Sequence, residues 1–448
     1  MIATLMAFCW MMPNSDAFAQ GGRAIIRDAE IEGIIRAYLS PILVAANLSP
    51  DSVQVRLIQN DSLNAFVSGG RKIYIHTGLL TSSKGPDAVI GVLAHETGHI
   101  DGGHLSRTRA AIEDASMVQL LGTILGTVAA VGSKNAEAGQ ALILGSQSTA
   151  RNIFLKYSRT QESAADQAAI RLLEATGRST RGLEEFLSQL GDQEILSTQL
   201  QDPYAQTHPL SRERIDTLRA HIAQSPYSDT PPSQEDVYAH AIMVAKLKAF
   251  INPLRQTLLD YPESDQSFPA RYARVIGYYR DTQLKKALPL LDQLISEMPK
   301  NPYLMELKGQ MLFEFARPDE ALIAYQKSVE LSPDEPLILM ELARVELESG
   351  KPELLDSAIS HYQKVHRLGA ANSFSWQQLG IAYGRKGDMA LSSLSMAEAE
   401  YRRGQLSNAE YHAGKAETLL KVGSREHLHA QDLLQAIKVV KARRAKRK

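Results

Sequence analysis

The segment VLAHETGHIDGGH, Val92 to His104, holds three histidines and a glutamate. On a helix, His95 and His99 project from one face a turn apart, so both imidazoles can meet one zinc ion at ~2.0–2.1 Å. Glu96 lies beside that face. It can reach a water activated there without binding the metal, which is the placement a general base needs. H-E-x-x-H is short enough to recur by chance, so the remainder of the site decides the matter. A catalytic zinc needs a third protein ligand and an open fourth position.

Two segments compete for the third ligand. The metzincin pattern puts a glycine three residues after the second histidine and a further histidine six after it. Gly102 fits, but Leu105 occupies the histidine's place and His104 falls one residue short. One residue turns a side chain by about 100° on a helix, so this reading fails and leaves His104 as a structural or surface histidine. The other segment is QESAADQAA, in which Glu162 and Asp166 are again four apart on one helical face. Glu162 can supply a carboxylate ligand, and Asp166 can accept a hydrogen bond from a ligating imidazole and so fix its tautomer. Taken alone, the pair would equally suit a solvated acidic face.

The elements that must position these residues are legible around them. From Ser52 to Leu80 the chain reads as short strands, SVQVRLI, NAFVS and KIYIHTG, with Gly69-Gly70 as a turn. Gly85-Pro86-Asp87 opens a helix and Gly102-Gly103 closes it. A second long helix is expected over Phe154 to Ala175, stopped at Gly177. SPYSDTPPSQ, Ser225 to Gln234, reads as a linker. Beyond it, Gly309, Ala321, Tyr325 and Pro333 fall at the spacing of a tetratricopeptide repeat, with further copies around Ala287, Ala343 and Trp376. Such helix pairs cannot bury their apolar faces alone and must stack. The expected organisation is a peptidase segment over 20–225, a linker over 226–236 and a repeat array over 237–448. The fold class is mostly α with a small β-sheet: an α+β peptidase domain followed by an all-α array.

Composition sets the outer bounds. A chain of 448 residues with 44% hydrophobic and 22% charged residues predicts two or three folded domains. With 49 basic and 50 acidic side chains, nothing global argues for nucleic acid. An apolar run from Ile2 to Met12 followed by Ala17-Phe18-Ala19 reads as a signal peptide over 1–19, although no Lys or Arg precedes the run. The single cysteine, Cys9, lies inside it. A thiol-free exported chain of this size points to a bacterial periplasm.

AHETGH followed by ESAAD resembles the gluzincin peptidases of the group that includes HtpX and the CAAX prenyl proteases. The export signal and the C-terminal repeats narrow the resemblance to the BepA-like periplasmic metalloproteases, or β-barrel assembly-enhancing proteases. It spans nearly the whole chain. It implies one zinc ion held by His95, His99 and Glu162, with Asp166 beside them. It also implies that His208, in the His-Pro loop THPLSRERI, can take the open zinc position, with Arg214 matching the arginine that follows. An imidazole there would hold the enzyme latent until a substrate moves the loop. NAFVSGGRKIYI resembles the family's edge strand, so Asn64, Ala65 and Phe66 are expected to pair with extended peptide through the main chain. The implied partners are unfolded or misassembled proteins, among them outer-membrane β-barrel proteins and their assembly machinery.

ASMVQLLGTILGTVAAVG, Ala115 to Gly132, is apolar and rich in small residues; peripheral membrane contact, substrate contact and burial all suit it. The last eleven residues carry seven basic ones, which suits a solvated helix end. The reading from another class is a non-proteolytic chaperone or scaffold acting through the repeats. An inert core would be expected to lose Glu96 or a ligand, and this chain keeps them.

Overall fold

A computed structural model of the chain describes residues 25–104, 136–190 and 211–445, together with Arg107, Ser116, Gln119, Thr123, Tyr204 and His208. The expected signal peptide and most of Ala115–Gly132 lie outside the described residues. Two compact units separate between Ile251 and Asn252.

The first unit is α+β. Val55, Leu57, Ile73 and Ile75 alternate along their strands and are all buried, which is what a half-covered sheet requires. Strands β1 (Ile25–Ile26), β2 (Gln54–Ile58), β3 (Ala65–Ser68) and β4 (Lys72–His76) form one sheet in the order β1-β2-β4-β3. β2 runs parallel to β4, with Gln54 opposite Lys72 and Ile58 opposite His76. β3 runs antiparallel to β4, with Ala65 opposite Ile75, and forms the sheet's edge. His76 N–H donates to Asn64 O at 2.9 Å, so the main chain of Asn64 faces β4. Alternation then turns that of Ala65 outward.

Helix α1 (Ala29–Ala45) and the short α2 (Thr77–Ser82) accompany the sheet. α3 (Pro86–Asp101) carries the H-E-x-x-H residues; Gly85 caps its start, Pro86 occupies the first turn where no N–H is needed, and Gly102 N–H closes it on Gly98 O. α4 (Ala136–Ala175) carries Glu162 and Asp166 and begins well before the expected Phe154. The two helices approach closely because Gly98 has no side chain: a Cβ there would lie 2.9 Å from Ala165 O and 3.0 Å from Ala168 Cβ. α5 (Arg181–Leu190) crosses α3 in the same way, with Gly91 against Leu183. α6 (Arg212–Ile222) brings Arg214, and α7 (Gln234–Ile251) completes the unit. α7 is tied in by the buried Lys246–Glu30 pair at 3.0 Å, by Arg178–Asp236 at 2.9 Å and by Tyr38 Oη donating to Asp236 O at 2.8 Å.

The second unit is all helix, α8 (Leu254–Asp260) to α18 (Arg425–Ala445). The helices beginning at Phe268, Pro302 and Pro336 start 34 residues apart, the tetratricopeptide period. Gly309 must stay small in its copy: a Cβ there would meet the Tyr325 ring at 2.6 Å. Among the described residues, no helix is long and apolar enough to cross a membrane.

Candidate metal centre

α3, α4 and His208 converge on one point. The ligand atoms of His95, His99, Glu162 and His208 all lie within 4.8 Å of one another. His95 Nε2 is 3.1 Å from His99 Nε2, 3.3 Å from Glu162 Oε2 and 3.4 Å from His208 Nδ1. Glu162 closes the group at 3.4 Å from His99 Nε2 and 3.1 Å from His208 Nδ1. A tetrahedron of ligands held at ~2.0–2.1 Å from a centre has edges of about 3.3–3.4 Å. Three nitrogens and a carboxylate with five of their six separations at 3.1–3.4 Å suit a single divalent cation of zinc's preferences.

The surrounding contacts orient each donor. His95 Nδ1 stands 2.9 Å from Asp166 Oδ1, leaving Nε2 to face the cluster. Arg214 clamps Asp166 from α6, Nε to Oδ2 at 2.6 Å and Nη2 to Oδ1 at 2.9 Å, and its Nη1 reaches Glu162 Oε2 at 3.1 Å. Fork-on-carboxylate pairing of this kind fixes geometry as well as charge. His99 Nδ1 meets His104 Nδ1 at 2.9 Å. Of the two expectations for His104, structural or surface, burial favours the first: it is buried beside a donor, with Gln161 donating to its carbonyl at 3.2 Å. Helical periodicity could not reveal this contact because Gly103, at φ 61°, turns the chain back after α3 has ended.

Burial and partners shape the protonation of the metal-free cluster. Burial alone would depress the His95 imidazolium, but its bonds to Asp166 and Glu162 outweigh that and raise it to about 9. Burial drives His99 the other way, down to about 3. A proton on His95 thus sits between donors that a cation would otherwise bridge, and metal binding must release it. Glu162 and Asp166 are held below the usual carboxylate range despite burial, the first by the histidines, chiefly His208, and the second by Arg214 and His95. Glu96 is different. Its carboxyl is fully buried and pushed upward by desolvation, against the pull of His208 and His95. A carboxyl raised in this way is a better proton acceptor near neutrality.

His208 bridges the cluster and the sheet edge. Its Nε2 donates to Ala65 O at 3.2 Å and lies 3.4 Å from Glu96 Oε1. Asn64 and Ala65 are buried at this edge, while the Phe66 ring stacks on that of its cross-strand neighbour Tyr74 with centroids 5.2 Å apart. Tyr204, which the sequence reading did not single out, covers the His208 ring with centroids 4.5 Å apart. Its spacing of four residues from His208 was the available signal.

Residues 27–222 match the family model described as Peptidase family M48. The chain carries an M48 metallopeptidase domain. It is 24% identical over 427 residues to the beta-barrel assembly-enhancing protease of Yersinia pestis, covering 90% of this chain and 87% of that one. Against the putative beta-barrel assembly-enhancing protease of Vibrio cholerae it is 24% identical over 415 residues, 90% of this chain and 83% of that one. The metalloprotease YcaL of Escherichia coli is 29% identical over 189 residues, covering 40% of this chain and 65% of its own. The first two matches extend well past the M48 domain into the helical array. The M48 domain contains all four clustered donors, and the protein is a metalloendopeptidase.

Proposed function

We propose that this M48 protein is a zinc endopeptidase of the bacterial periplasm that removes misfolded or stalled β-barrel proteins during outer-membrane assembly. The donor set of His95, His99, Glu162 and His208 carries the catalytic part of the reading. The name of the Yersinia pestis and Vibrio cholerae relatives supports the cellular part, as do the expected signal peptide and the repeat array that would hold substrates or partners. Zinc held by His95, His99 and Glu162 would supply Lewis-acid polarisation of the scissile carbonyl and would acidify water. Glu96 takes the proton from the attacking water and returns it to the leaving amine. Asp166 and Arg214 keep the His95 and Glu162 donors aimed, and the outward main chain of Ala65 pairs with an extended substrate, which makes selectivity depend on unfolding rather than sequence.

His208 is the latch in this reading. With its Nδ1 among the donors and its Nε2 on Ala65 O, it stands both where the reacting carbonyl would bind and where substrate main chain would pair. Substrate must displace it. The same placement favours a second role, in which the latched protein acts as a chaperone through its repeats without cutting.

Metal content tests the donor assignment. Purified wild type is expected to hold one zinc per chain after dialysis, and Glu162→Gln to lose most of it; equal retention by the two would overturn the assignment.

A further inference from the structure

His208 is held at the edges of its ring by polar contacts, Nδ1 toward Glu162 at 3.1 Å and Nε2 toward Ala65 O at 3.2 Å. In-plane contacts of this kind do not stop the imidazole from tilting about the axis that joins its two nitrogens. What covers the ring's face is Tyr204, with centroids 4.5 Å apart and planes 22° from parallel. The same two residues are locked through the main chain, because His208 N–H donates to Tyr204 O at 2.7 Å. Tyr204 is backed in turn by Phe186, edge to face at 5.0 Å and 85°. Tyr204 is fully buried and Phe186 nearly so. Phe186 lies on α5, which is pressed against the metal-binding helix through Gly91 and Leu183. A continuous line of contact therefore runs from α3 through α5 and two aromatic rings to His208.

We infer that Tyr204 is a positioning residue for His208: its ring, backed by Phe186, sets the imidazole plane that brings Nδ1 into the donor set. The inference rests on the latch reading above. Stacked rings contribute beyond their buried area and, more to the point here, fix an orientation. Removing the Tyr204 ring leaves His208 attached to its loop but free to leave the fourth position, so the variant should behave as though His208 had been truncated. A purely structural tyrosine would lower stability without shifting the coordination of the metal.

The test uses the full chain loaded with cobalt(II), whose visible absorption reports the number and type of donors, together with zinc affinity measured against a chromophoric chelator. His208→Ala should change the spectrum and weaken zinc by at least about tenfold, since it removes a donor rather than a group behind one. Tyr204→Leu should give the same altered spectrum and a loss of similar size, and Tyr204→Phe, which keeps the ring, should restore the wild-type values. The Tyr204→Leu, His208→Ala pair should lose no more than His208→Ala alone, since both changes remove one interaction. Phe186→Leu, which leaves Tyr204 in place but removes its backing, should shift the spectrum in the same direction by less, and it decides the matter if Tyr204→Leu does not fold. If His208→Ala leaves the spectrum unchanged, the latch reading itself fails. If His208→Ala changes it while Tyr204→Leu, or Phe186→Leu in its place, keeps the wild-type spectrum, the latch stands and the role of Tyr204 is overturned.

Discussion

His104 Nδ1 stands 2.9 Å from His99 Nδ1, while His95 Nδ1 stands 2.9 Å from the Asp166 carboxylate. The two histidines of H-E-x-x-H are thus oriented by different chemistry, one by a carboxylate and one by a second imidazole. For His99 to present a bare Nε2 to a cation its Nδ1 must carry the proton, so His104 must accept at Nδ1 and hold its own proton on Nε2. His104→Ala should weaken zinc affinity by about 10- to 100-fold in chelator competition, and His104→Asn, which keeps a short acceptor, by less. Wild-type affinity in His104→Ala would show that the contact does not orient the donor.

The approach of the two ligand-bearing helices predicts a second outcome. A methyl group at Gly98 would sit 2.9 Å from Ala165 O, on the turn between Glu162 and Asp166 and beyond. Gly98→Ala should therefore cost about 1–3 kcal/mol of stability in urea unfolding, the usual range for overpacking. It should also weaken metal binding, because separating α3 from α4 lengthens every donor contact from Glu162. Loss of stability with unchanged affinity would mean that the helices adjust without moving the carboxylate.

Legibility in the sequence followed the range of the interactions concerned. His95 with His99 and Glu162 with Asp166 were readable because one helical turn places each pair on a face, whatever the rest of the chain does. The ends of α3 were readable from Gly85-Pro86 and Gly102, and the repeat period from small residues such as Gly309 that touch a ring one helix away. His104 was left open between a structural and a surface place because its meeting with His99 depends on a turn after the helix end, which has no period. The parallel pairing of β2 with β4, and the edge position of β3 that follows from it, depend on contacts between strands and left no local mark. The resemblance supplied His208 and Arg214, which lie more than forty residues from Glu162 and Asp166 and meet them only in the fold.

In the repeat array, His366 should make stability depend on pH. Its Nε2 lies 3.0 Å from Ser375 Oγ and its ring packs on Trp376 at 4.0 Å. Burial, with Arg402 adding to it and Glu398 opposing, pushes its pKa down from 6.5 to about 4. The unfolded chain takes up a proton that the folded one refuses, so this contribution is complete above about pH 6.5 and is lost as pH falls toward 4. Its size is at most about 3.5 kcal/mol, since each tenfold difference in proton affinity between the two states is worth about 1.4 kcal/mol. His366→Gln should flatten the fall in urea midpoint over that window; an unchanged profile would place the acid sensitivity elsewhere.

The central claim is that Glu96 cuts at a metal site that His208 keeps closed. Degradation of one unfolded protein by zinc-loaded wild type, His208→Ala and the His208→Ala, Glu96→Gln double variant tests it most directly. Slow cleavage by wild type, faster cleavage by His208→Ala and none by the double variant is the predicted result. Equal silence from all three with zinc bound would contradict it and leave the repeats as the working part of the protein.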